Sequence, residues 1–177
     1  MTPDTSCFYK QLHRHEPSEG LIGDCWRTCI ANLLGLKPQA VPHFVQDNFG
    51  DGTDAAASYK ATRDWLAARN LSLLSIALYT DEPQTFDFGL SPYIMGGRSG
   101  RSDISHVVLG HGNFQILHDP SNSPESFSAF ECDATLRPYY WCHFLIPINL
   151  AGFLKIPFPE PAESAIVIPS ANDSPGS

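Results

Sequence analysis

Residues 25–34, CWRTCIANLL, place Cys25, Cys29, Asn32 and Leu33 on one helical face, with Ile30 and Leu34 close beside it. Asp24 stands where an N-cap belongs, and Gly35 closes the helix as a left-handed cap. KPQAVPHFVQDNF reads as a turn and a short second helix, with Pro42 tolerated near its start. GDGTD is a loop. Asp54 is placed to cap a third helix, AAASYKATRDWLAARN, that turns Ala57, Ala61, Trp65 and Leu66 inward. Beyond residue 70 the pattern changes. LSLLSIALY is a strand of Leu and Ile, EPQTFDFGLSP a loop, YIMG a short buried strand and GRSGRSD a flexible, glycine-rich basic loop. SHVVLG and NFQILHD form two strands around HG, and YYWCHFLIPI is a long apolar strand. Helices first and antiparallel strands afterwards predict the α+β class. Residues 1–19 read as an irregular lead-in, 20–150 as the folded domain, and 151–177, rich in Pro and Ser, as a tail.

Composition narrows the function classes. A chain of 177 residues suits one domain with a core of ordinary size. The net charge is −8 and no Lys/Arg run occurs, which argues against nucleic acid or an anionic membrane as partner. The first twenty residues are polar, unlike a secretory signal, and no apolar run approaches the roughly 20 residues that span a bilayer. Five cysteines, an odd number, are expected to be reduced thiols of a cytoplasmic protein rather than a disulfide framework.

The chemistry gathers around Cys25. At the first position of a helix it meets backbone N–H groups and the positive end of the helix dipole, and both favour a thiolate, the nucleophilic form. His106, at the start of SHVVLG, is the candidate base, and Asp119, at the end of NFQILHD, the candidate orienting carboxylate. Register tests the set. If His111 and Gly112 form a two-residue turn, residue 106 pairs with 117, and Asp119 is the diagonal neighbour of His106 on the same face. A three-residue loop would turn Asp119 to the other face and bring His118 beside His106 instead.

GDCWRTCIANLLGL…VPHF, SHVVLGHG and HDPS together resemble the papain-like cysteine peptidase superfamily, in particular its small, C39-peptidase-like bacterial and phage members. The resemblance spans roughly residues 20–146. It implies N-terminal helices, with the nucleophile Cys opening one of them, packed on an antiparallel sheet that carries His and Asp. It implies a thiol hydrolase acting on a peptide, protein or small amide substrate without a cofactor, with Cys25 as nucleophile, His106 as base and Asp119 as orienting residue. Papain-like enzymes carry a Gln some six residues before the Cys that donates to the oxyanion; here that position is Glu19, and Gln11 is the nearest upstream glutamine. A carboxylate there opposes a developing oxyanion unless it is protonated.

The remaining candidates have plainer readings. Cys29 is expected to pack, Asp24 to cap, Trp26 to line the cleft or join the core, and His43 to pack or cap. Cys7, His13 and His15 match no zinc spacing, and no metal is expected. Arg98 and Arg101 belong to a loop beside His106 that is either a lid or plain solvated chain. Two other uses of the same residues are acyl transfer of transglutaminase type and a non-catalytic binding module in which Glu19 marks lost oxyanion stabilisation.

Overall fold

The computed structural model describes residues 7–48, 55–81, 88–89, 91–100, 105–121, 127–130 and 135–149. GDGTD with Asp54, Arg101 and the 151–177 tail lie outside the described residues. Helix α1 spans Cys25–Leu34, and Gly35 ends it at φ 64°, its N–H returning to the Ala31 and Asn32 carbonyls. Asp24 departs from expectation. It holds the N-cap position, but its side chain makes no capping bond. Its carboxylate instead accepts the N–H groups of Leu12 (3.2 Å) and His13 (2.9 Å) and the Arg27 Nε–H (2.9 Å). A guanidinium one turn along and two backbone donors outweigh a single helix N–H.

After a 3-10 turn at Pro38–Ala40 comes α2 (Phe44–Asn48), where His43 Nδ1 accepts the Gln46 N–H at 3.1 Å. Helix α3 spans Ala55–Ala67. Of the residues expected inward, Leu66 is buried, Ala61 and Trp65 pack against the core and Ala57 is half-buried, while Ser58 and Thr62 join Leu66 as the buried positions of the helix. The two hydroxyls are buried because each is satisfied: Ser58 Oγ donates to the Ala55 carbonyl and Thr62 Oγ1 to the Ser58 carbonyl. Among the described residues no helix is long and apolar enough to cross a membrane.

Six antiparallel strands follow: β1 (Leu71–Tyr79), β2 (Tyr93–Ser99), β3 (Ser105–His111), β4 (Gln115–His118), β5 (Phe127–Ser128) and β6 (Tyr139–Pro147). The main order is β1-β6-β2-β3-β4, with β5 on the far end of β2. The class is therefore α+β. Alternation along the strands separates two cores. Ile94 and Leu109 join Cys29, Ile30, Phe44 and Leu66 under the helices. Tyr93, Met95, Val108 and Cys142 form the second cluster, with Phe127, Tyr140 and Phe144 against it. Strand β2 runs three residues past the expected end, so Gly97, Arg98 and Ser99 are strand rather than loop. They pair with β3 on one side and β5 on the other, and that pairing overrides the low strand propensity of glycine. Gly97 is required there: a Cβ would collide with the Ser128 carbonyl and the Phe127 ring.

The β3–β4 hairpin positions the site. His111 pairs with Gln115, so the turn holds three residues, 112–114, with Gly112 at φ 51° and Phe114 at φ 55°. This corrects the two-residue turn expected from the sequence. Asp119 nevertheless reaches the face of His106. Gly110 pairs with Ile116 but Leu109 pairs with His118, so Leu117 is an extra residue in β4. The bulge reverses the face change that the odd turn introduces.

Candidate functional site

Cys25 is the first residue of α1 and is half-buried. His106, the second residue of β3, is 7 % exposed. Its Nε2 lies 2.8 Å from Asp119 Oδ1, and the same carboxylate oxygen accepts the Ser121 N–H at 2.8 Å. With Nε2 on Asp119, Nδ1 is the ring nitrogen left free to serve the Cys25 thiol, which acts on the His106 imidazole. Burial by itself lowers the imidazole, but the hydrogen bonds to Asp119 and Cys25, with the charges of both, raise it to about 10. Asp119 moves the other way. Burial raises it, but the bonds from His106 and the Ser121 N–H hold it below the usual carboxylate range. The arrangement favours a protonated imidazolium held on the Asp119 carboxylate.

Cys29, one turn after Cys25, is fully buried, and its thiol donates to the Val107 carbonyl at 3.8 Å. Burial first, and then the nearby Cys25 and Asp119 charges, push it well above the ordinary thiol value. It stays a protonated, packed group. Asp24 is 1 % exposed and wholly engaged with Leu12, His13 and Arg27. Trp26 turns to α3 and β6: its indole N–H donates to Thr62 Oγ1 at 3.1 Å, and its ring meets His143 edge-on at 5.0 Å. Glu19 is exposed on a 3-10 turn at Pro17–Glu19.

Two groups escaped the sequence reading. The first is the segment 9–13. Tyr9 exchanges hydrogen bonds with the Asn32 side chain at 2.8 and 3.0 Å, and the Gln11 N–H donates to the Pro120 carbonyl at 2.8 Å. Gln11, 8 % exposed, thus has one neighbouring stretch tied to Asp24 and its own backbone tied to Pro120, which adjoin Cys25 and Asp119 in the chain. It is the only glutamine upstream of Cys25, a signal that the fixed six-residue spacing of the family pattern obscured. The second is His143 on β6, 2 % exposed, held by Ser75 Oγ (2.8 Å to Nδ1) and Tyr59 OH (3.2 Å to Nε2). Burial drops it to about 4, so it is neutral. His and Ser on an apolar run gave no hint that β1 and β6 would set them opposite each other.

Among the described residues no three His, Cys, Asp or Glu side chains gather to hold a metal ion. His13 stacks on His43 at 6.4 Å, and His15 Nδ1 accepts the Gly23 N–H at 3.4 Å. Comparison with protein-family models, curated proteins and solved structures gives no match for this chain.

Proposed function

We propose that the protein is a papain-like thiol hydrolase that cleaves a peptide or other amide bond through Cys25, His106 and Asp119. The observation that carries this reading is the bonded His106–Asp119 pair beside a half-buried cysteine at a helix N-terminus. The Cys25 thiolate attacks the carbonyl carbon, and the carbonyl electrons move to oxygen. His106 Nδ1–H then gives its proton to the leaving nitrogen as the C–N bond breaks, leaving a thioester. Neutral His106 next takes a proton from water. The hydroxyl adds to the thioester, the carboxylic acid departs, and the thiolate and imidazolium are restored. Throughout, the Nε2–H to Asp119 bond fixes the ring orientation.

The oxyanion needs a donor. Gln11, buried and in a segment tied to Pro120 on one side and to Asp24 on the other, is the residue to which we assign it, together with the N–H groups that open α1. The test is alkylation by iodoacetamide at pH 6, mapped by peptide mass spectrometry. Cys25 is expected to react well ahead of exposed Cys7, and Cys25→Ala to abolish hydrolysis while the protein stays folded. Equal labelling of the two thiols, or an active Cys25→Ala variant, would remove the nucleophile role.

A further inference from the structure

Asp119 lies just beyond the end of β4, which closes at His118 after four residues and a register shift. The β3–β4 ladder ends with the Leu109–His118 pair, short of the stretch that aims the Asp119 carboxylate at His106. Residues 10 and 11 take its carbonyls instead. Lys10 Nζ donates to the Asp119 carbonyl at 2.7 Å and to the Ser121 carbonyl at 2.9 Å, and the Gln11 N–H takes the Pro120 carbonyl between them. One residue earlier, His118 Nε2 lies 3.0 Å from the Tyr9 carbonyl. At the far end of this segment Leu12 and His13 are bonded to Asp24, at the N-cap of the helix that carries Cys25, and Tyr9 itself is bonded to Asn32 of that helix. A short strap therefore spans from the nucleophile's helix to the orienting carboxylate's turn, and Lys10 supplies two of its bonds.

We propose that Lys10 is a positioning residue: its ammonium holds the 119–121 turn so that Asp119 stays on His106 Nε2, and it influences Cys25 only through that imidazole. The inference rests on the thiol–imidazole reading above. Lys10 is exposed, so its contacts add little to stability. Catalytic geometry is far less forgiving: a displacement near 1 Å can cost on the order of a hundredfold. The role therefore shows in reactivity and not in melting. The titratable groups facing His106 are Asp119 and Cys25, and Cys29 lies close to both. Those near the Lys10 charge are His118 and Asp119.

The experiment compares wild type, Lys10→Met, Lys10→Arg and His106→Ala by rate of iodoacetamide alkylation of Cys25 from pH 6 to 10, with melting curves alongside. Lys10→Met keeps the aliphatic stem and loses the donor. It is expected to slow labelling at pH 6 about tenfold, to leave the rate at pH 10 unchanged, and to move the melting temperature by no more than ~2 °C. Lys10→Arg is expected to recover most of the pH 6 rate. An unaltered pH profile in Lys10→Met, with His106→Ala slow at pH 6, overturns the clamp alone. So does equal impairment in the Met and Arg variants. An unaltered profile in His106→Ala overturns the thiol–imidazole reading and the clamp with it.

Discussion

Gln11 and Glu19 carry side chains of nearly the same shape and opposite consequence for an oxyanion. Glu19 is solvated on a turn, whereas Gln11 is buried and its amide belongs to a segment bonded to both halves of the site. Loss of one oxyanion donor typically costs about 10²–10³ in rate. Gln11→Ala should therefore lower kcat by that order with little change in KM, and Glu19→Gln should leave both constants unaltered. Steady-state kinetics on one amide substrate separates the two. A rise in kcat for Glu19→Gln beside an unaffected Gln11→Ala would reverse the assignment. Cys25, His106 and Asp119 were legible in the sequence because residue type, a capping pattern and strand ends all converge on them. Gln11 was not, because its place comes from backbone bonds to residues far along the chain, such as Pro120. Asp24 was misread for a similar reason: its capping duty is displaced by donors from Arg27 and from a segment twelve residues upstream.

At the scale of elements, α1, β1 and β6 follow from local pattern, since each carries its own periodicity or apolar run. Strand β2 outran its pattern because β3 supplies partners for Gly97 and Arg98 on one edge and β5 for Arg98 and Ser99 on the other. Leu66, Ala61 and Trp65 of the α3 face were legible, but Ser58 and Thr62 were not, because buried hydroxyls look polar in sequence and find their acceptors one turn back in the helix. The hairpin gives the sharpest test. Deleting Leu117 removes the extra residue and leaves the three-residue turn in place. Asp119 should then face away from His106. Hydrolysis is expected to fall by about 10³–10⁴, the scale seen when a triad residue is lost. Far-UV circular dichroism should remain that of a folded protein, since the ladder itself becomes regular. Activity near wild type in a folded deletion variant would show that the bulge does not set the face of Asp119.

For the molecule as a whole, two histidines pull stability in opposite directions along the pH axis. His143 folds with a value of about 4 against an ordinary 6.5. Its contribution is complete above pH 6.5 and is lost as pH falls toward 4, because the unfolded chain then takes up a proton that the fold resists. The integrated loss is about 3 kcal/mol. His106 folds with a raised value of about 10, so its contribution is complete below pH 6.5 and is lost as pH climbs toward 10. Urea unfolding of wild type and His143→Gln at pH 7 and pH 4 should show the acid loss shrinking by about 3 kcal/mol in the variant. Parallel losses in the two proteins would mean that His143 is not what makes the fold acid-sensitive.

The odd turn and the odd bulge between β3 and β4 work as a pair of compensating frameshifts. Each alone reverses the reading of every residue after it; together they restore the frame only beyond Leu117. A homologue or a designed relative that keeps the triad is therefore bound by a parity rule. It can shorten the turn by one and drop the bulge, or keep both, but a single-residue change in either place leaves an intact hairpin with its carboxylate on the wrong side. Length variation here is allowed in steps of two.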